Sequence, residues 1–218
     1  MSRKYDLVLL DMDGTIADTD ELIIRTMNDL YDKYRDGVKT PIEQMYYFSG
    51  PPIRGTIEKE FPNGDIDMLV DEFKKISNTY YSICVSAYPH VVETLSNLKK
   101  QGVKLGIVTS KGHYNCDQCI EAIGLKDIVT EYVAGDDVKQ TKPNPEGIYR
   151  LMEHFCIKDK KKVLYIGDYI ADYLVARNAG IDVAMVTWGP RKIDRTLTPD
   201  YWIDDFKEVE DIVNGKGL

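Results

Sequence analysis

Two carboxylates stand two residues apart in Asp11-Met-Asp13-Gly14-Thr15. They follow an apolar run, Leu7-Val8-Leu9-Leu10, that reads as a buried strand. On an extended chain residues 11 and 13 point to one face, and Gly14 then lets the chain turn sharply. Such a pair suits chemistry that needs a nucleophile, a metal ligand and a proton carrier close together. Alone, the pentapeptide also fits an acidic strand-to-loop turn, because Asp and Gly are common turn residues. Its partners further along the chain decide between the two.

Thr109-Ser110 ends an apolar strand and precedes Lys111-Gly112. Its hydroxyls and free backbone N–H groups can hold a phosphate oxygen, or simply cap a helix. Lys142-Pro143-Asn144-Pro145 places an ammonium in a loop stiffened by two prolines. Gly167-Asp168-Tyr169-Ile170-Ala171-Asp172 puts two more carboxylates just past a buried strand, four residues apart. Like charges on one face of a starting helix repel unless a cation lies between them. Mg²⁺ favours a few carboxylate oxygens completed by water and substrate phosphate, and Asp11, Asp13 and Asp168 together offer such a set. Lys142 would offset the remaining negative charge around a phosphate. Arg54, in the loop Gly50-Pro-Pro-Ile-Arg54, is the candidate for reading a second anionic group of the substrate.

These residues need a scaffold that brings them together. Leu22, Ile23, Met27, Leu30, Tyr31 and Tyr34 recur at helical spacing, as do Ile66, Leu69, Val70, Phe73, Ile76 and Tyr80. Pro51 and Pro52 break the chain between them. From about residue 88 the pattern alternates. Helices are expected over 91–100, from 111 to Gly124, and over 145–155, 171–179 and 205–213. Strands are expected over 104–108, 132–134, 163–166, 183–186 and 201–203. Alternation of this kind predicts an α/β fold, a Rossmann-like parallel sheet flanked by helices. The non-alternating stretch predicts an all-helical insertion over 19–86, with the core formed by 1–18 and 87–218. Asp11, Thr109 and Asp168 all stand at carboxyl ends of strands, where open α/β sheets bind ligands.

Composition narrows the function classes. The 218 residues carry a net charge of −8, which disfavours nucleic-acid or anionic-membrane partners. No apolar run approaches the roughly 18 residues of a membrane span, and the N-terminal run is too short for a signal peptide. A cytoplasmic location is the expectation. Cys116 and Cys119 form a single CxxC without a second pair or a His pair to complete a zinc site, so they and Cys84 and Cys156 read as reduced thiols. His90, His113 and His154 form no metal-binding pattern.

Taken in order, Asp-Met-Asp-Gly-Thr, Val-Thr-Ser-Lys, Lys-Pro-Asn-Pro and Gly-Asp-(three residues)-Asp resemble the haloacid dehalogenase superfamily. The nearer resemblance is to its phosphoglycolate-phosphatase-like branch with a helical cap. The resemblance spans essentially the whole chain. It implies Asp11 as the nucleophile that takes the phosphoryl group, and Asp13 as general acid/base that also offers its backbone carbonyl to Mg²⁺. It implies Thr109 as the phosphate-binding hydroxyl, beside Ser110, and Lys142 as the cation that orients nucleophile and phosphate. Asp168 is then a direct Mg²⁺ ligand, and Asp172 supports the metal through water. Dehalogenating members lack an acid at the position of Asp13, so phosphoryl transfer is expected. Tyr169 departs from the Ser or Thr of many relatives. The implied activity is a Mg²⁺-dependent phosphatase acting on a small phosphorylated metabolite through an aspartyl phosphate. Inorganic pyrophosphatase and β-phosphoglucomutase-like phosphomutase are the enzymatic alternatives. A phospho-accepting signalling receiver is the non-enzymatic one.

Overall fold

A computed structural model describes residues 3–216. Six parallel strands form the main sheet: β1 (Leu7–Leu10), β4 (Lys104–Val108), β5 (Glu131–Val133), β6 (Val163–Gly167), β7 (Asp182–Val186) and β8 (Tyr201–Ile203), in spatial order β5-β4-β1-β6-β7-β8. The remaining strands, β2 (Ala17–Asp18) and β3 (Ser86–Ala87), pair antiparallel as a short separate ribbon. The architecture is the expected α/β one.

β1 lies at the centre because its four residues are apolar without interruption, as a strand covered on both faces requires. Alternation then divides it. Leu7 and Leu9 pack with Ile148 and Leu151 of α7 (Glu146–His154) and with Val175 and Ala176 of α8 (Ile170–Ala179). Val8 and Leu10 belong to the opposite cluster, with Leu95 and Leu98 of α5 (Val91–Lys100) and Val209 and Ile212 of α9 (Glu208–Val213). Each such buried Leu, Ile or Val contributes about 1.5–3 kcal/mol of burial, so the strand ends carrying polar residues rest on a stiff support.

Between β2 and β3 run α1 (Asp20–Tyr34), α2 (Ile42–Met45), α3 (Ile53–Glu60) and α4 (Ile66–Cys84). The ribbon strands end at Asp18 and begin at Ser86, so both crossings of the chain lie side by side. The stretch expected to be wholly helical therefore includes Ser86 in a strand. Two residues are too short a run to leave a period in the sequence. Leu22, Met27 and Leu30 of α1 face Leu69 and Phe73 of α4 in the common core. Glu60 ties the insert together, accepting hydrogen bonds from Tyr31 Oη (2.9 Å), Thr40 Oγ1 (2.6 Å) and Arg35 Nη1 (2.9 Å). The insert also reaches α6 (His113–Ala122), where Tyr81 Oη donates to the Asn115 carbonyl at 3.2 Å. Among the described residues no helix is long and apolar enough to cross a membrane. Cys84, Cys116, Cys119 and Cys156 are free thiols, and the first three are buried.

Candidate active site

The carboxyl ends of β1, β4 and β6 meet at one edge of the sheet, where Asp11, Asp13, Thr109, Ser110, Asp168 and Asp172 are buried and the Lys142 side chain is 4% exposed. Asp11 extends the β1–β6 ladder, its N–H donating to the Ile166 carbonyl at 2.8 Å. The chain then turns tightly: Ile16 and Ala17 donate to the Met12 carbonyl at 3.1 and 3.0 Å, and Gly14 takes a φ of +84°. A side chain at Gly14 would be strained by that φ, and its Cβ would lie 2.6 Å from Asp168 Oδ2. The turn carries Thr15 to Asp168, Oγ1 donating to Oδ1 at 3.1 Å.

Two lysines serve the two carboxylates of the opening motif. Lys142 Nζ donates to Asp11 Oδ1 at 2.5 Å and to Asp172 Oδ1 at 2.7 Å. Lys111 Nζ lies 3.0 Å from Asp13 Oδ1, which also accepts from Thr19 Oγ1 at 2.6 Å. Burial and the neighbouring Asp172 push the Asp11 pKa up, and Lys142 opposes this. Burial likewise raises Asp168, with Arg191 opposing and Asp172 and Asp11 adding to the rise. Burial alone would lower both lysine pKa values, but the facing carboxylates more than offset it and raise them.

Asp172 lies in the same acidic cluster and has protein partners on both oxygens. Its Oδ2 accepts from the backbone N–H groups of Asp168 (3.2 Å) and Tyr169 (2.9 Å). Its Oδ1 takes Lys142 and lies 3.2 Å from Tyr165 Oη. Asp172 thus shapes the loop after β6 and anchors the lysine. Tyr169 enters this arrangement through its backbone.

Thr109 continues β4, its N–H donating to the Val133 carbonyl at 3.1 Å, and its Oγ1 accepts from Lys111 N–H at 3.2 Å. Helix α6 is capped instead by Gly112. Ser110 is buried beside it, and its carbonyl lies 2.3 Å from where a Cβ on Gly135 would stand.

Arg54 is placed differently from expectation. Pro52 is the N-cap of α3, so Arg54 sits in the first helical turn and not in a loop. Pro at the start of a helix is compatible with its geometry, and the proline pair marks a beginning as well as a break. The guanidinium pairs with Asp67 and lies 4.0 Å from Glu58, with half its side-chain surface exposed. It does line a cavity of about 370 Å³ that reaches Asp13, Ser110 and Lys111. A smaller cavity of about 180 Å³ reaches Asp11, Lys142 and Asp172. Gly50, Pro51 and Pro52 of the insert line both cavities.

Two residues of the cluster carried no sequence assignment. Lys111 follows Thr109 and Ser110 directly, but nothing local in the sequence assigns a role to its side chain. Arg191 lies in the irregular segment between β7 and β8, and its side chain is 2% exposed. It forms an ion pair with Asp168, and its Nη2 donates to the Asp13 carbonyl at 3.2 Å. Its Nη1 donates to the Ser49 carbonyl at 2.6 Å.

The residues present fit a hard divalent cation. Oxygens of Asp11, Asp168 and Asp172 lie within 4.8 Å of one another, all three residues buried. Among the described residues Asp168 Oδ2 accepts no hydrogen bond and meets only the Arg191 guanidinium, as an ion pair. A buried carboxylate oxygen needs a cation beside it, a place that Arg191 takes in this structure and that a metal ion would also suit.

Comparison with known proteins identifies the family. The profile of the family described as haloacid dehalogenase-like hydrolase matches residues 8–186. Pyrophosphatase PpaX of Halalkalibacterium halodurans is 33% identical over 218 residues, covering 98% of this chain and 99% of that protein. A predicted phosphoglycolate phosphatase from Haemophilus somnus has the same fold, with a TM-score of 0.81 and 24% identity over 96% of this chain and 98% of the other. CbbY from Rhodobacter sphaeroides, solved with phosphate, superposes with a TM-score of 0.80 at 19% identity over 94% of this chain and 96% of its own. The chain belongs to the haloacid dehalogenase-like hydrolase family, and within it to the phosphatases.

Proposed function

We propose that the chain is a Mg²⁺-dependent phosphatase acting through an aspartyl phosphate on Asp11, with inorganic pyrophosphate as its substrate. The observation that carries this reading is the pair of buried lysine–carboxylate contacts, Lys142 on Asp11 and Lys111 on Asp13. Lys142 opposes the rise that burial imposes on the Asp11 carboxyl and so favours the ionised form that attacks. The other carboxylate stands beside a cation at the mouth of the larger cavity, which is also lined by Lys74 and Arg54. A leaving group with its own negative charge suits such a wall, and the name of the Halalkalibacterium relative agrees with that choice.

The chemistry follows from the residues. A carboxylate oxygen of Asp11 attacks phosphorus, and the bond to the leaving oxygen breaks as Asp13 delivers a proton. Asp13 then takes a proton from water, which attacks the acyl phosphate and frees Asp11. Lys142 balances the charge gathered at Asp11. Thr109, Ser110 and the backbone amides that follow them receive the phosphoryl oxygens. Asp11, Asp168 and the Asp13 carbonyl would hold Mg²⁺, which supplies charge neutralisation at the phosphoryl group. The helical insert acts as a cap, and its Gly50–Pro52 segment excludes bulk water over the site. The segments 1–18 and 87–218 form the catalytic core and 19–86 the cap.

The test is a panel of pyrophosphate, phosphoglycolate, sugar phosphates and p-nitrophenyl phosphate assayed with Mg²⁺ and ranked by kcat/KM. Pyrophosphate is expected to lead. A monoester leading by tenfold or more would overturn the substrate assignment and leave the phosphatase reading standing.

A further inference from the structure

Arg191 touches the same oxygens that the proposed function assigns to the metal. Its Nη2 pairs with Asp168 Oδ2 and lies 3.2 Å from the Asp13 carbonyl. It also lies 1.7 Å from the position a Cβ would take on Gly14, so the guanidinium fills the space that this glycine leaves open. A divalent cation bound to those oxygens at about 2.0–2.1 Å would stand in the same space with the same sign of charge. The two occupants exclude one another.

Both terminal nitrogens of the guanidinium are partnered, but its third nitrogen is not. Among the described residues Arg191 Nε has no hydrogen-bond partner although it is buried, and Asp168 Oδ2 has an ion pair but no hydrogen bond. A bidentate arginine–carboxylate pair would satisfy both. The other end of the same guanidinium holds the Ser49 carbonyl, one residue before the Gly50–Pro52 segment that lines both cavities.

We propose that Arg191 is an internal competitor of the divalent cation, and that its displacement by the metal releases the cap segment at Ser49. Metal binding and freedom of the cap are then one event, carried by one side chain. The proposal rests on the metal site of the proposed function. It adds that the metal's apparent affinity is reduced by the fraction of molecules in which Arg191 occupies the site.

The experiment is calorimetric titration of Mg²⁺ into the wild-type chain and the Arg191→Met variant, without substrate. Amide hydrogen exchange of residues 46–55 is followed with and without metal. Removing the competitor is expected to tighten Mg²⁺ binding by about tenfold or more. In the wild type, exchange over 46–55 accelerates when Mg²⁺ is added. In the variant it is fast from the start and insensitive to metal. Arg191→Lys keeps the charge but has no fork to span both contacts, so it also loses the metal-sensitive exchange; it serves if the Met variant does not fold. Equal or weaker Mg²⁺ affinity in the variant, or exchange over 46–55 that ignores Mg²⁺ in the wild type, overturns the proposal alone. Failure of both proteins to bind Mg²⁺ overturns the metal site and the proposal with it.

Discussion

Lys142 and Asp11 form a buried ion pair, Nζ to Oδ1 at 2.5 Å, with side chains 4% and 3% exposed. Lys142 faces Asp172 in the same way, so one ammonium balances two carboxylates at the end of the sheet. Removing it leaves two uncompensated buried charges, and Asp11 then favours its protonated, non-nucleophilic form.

Lys142→Met is therefore expected to lower kcat by at least ~10²-fold. Lys142→Arg should not restore it, because a planar fork does not fit a gap shaped for a compact ammonium. Steady-state kinetics on both variants checks this; an active Met variant would remove Lys142 from the reaction.

Asp168→Asn should abolish Mg²⁺ binding by calorimetry while leaving the fold intact, since Thr15 Oγ1 still finds an amide oxygen to donate to. Treatment with EDTA should stop turnover in the wild type and Mg²⁺ should restore it. Ca²⁺ should inhibit, because its longer bonds and larger coordination number misplace the carboxylates. Full activity after exhaustive chelation would contradict the metal site.

Much of this site was legible in the sequence for a physical reason. Asp11, Thr109 and Asp168 each end an apolar run, and a parallel sheet aligns the ends of its strands. The unread parts lacked a period. β2 and β3 are two residues each, and Arg191 lies in an irregular segment where nothing local marks a residue for burial. Lys111 was visible, but its partner Asp13 is distant in sequence, and only the fold brings them together. The placement of Arg54 turned on Pro52, which can end one element or cap the next.

Lys111→Met should lower kcat/KM for pyrophosphate far more than for p-nitrophenyl phosphate, whose leaving group is uncharged in the bound ester. Arg54→Ala should act in the same direction but more weakly, because Arg54 is exposed and already paired with Asp67. Equal losses on both substrates would assign Lys111 to holding Asp13 and not to the leaving group.

The helical insertion has its own pH dependence. Burial raises the Glu60 pKa, but hydrogen bonds from Thr40, Tyr31 and Arg35 outweigh it and bring it below the usual 4.5. The unfolded chain therefore binds the proton first as pH falls. Glu60 stabilises the fold above about pH 4.5, and this contribution is lost as pH falls through the lower folded-state pKa. Glu60→Gln should cost about 1–3 kcal/mol at pH 7. The gap in thermal stability from wild type should narrow toward pH 3. A gap constant from pH 7 to pH 3 would show that the charge of Glu60 contributes nothing.

The covalent step is the centre of the account, and one measurement addresses it directly. Enzyme mixed with Mg²⁺ and ³²P-labelled pyrophosphate is quenched in acid within the first turnover, digested, and mapped by mass spectrometry. Label is expected on the peptide bearing Asp11 and nowhere else, with Asp11→Asn giving no label and at least ~10³-fold lower turnover. Phosphate release at the full rate with no labelled peptide, or an Asp11→Asn variant that retains turnover, would contradict it.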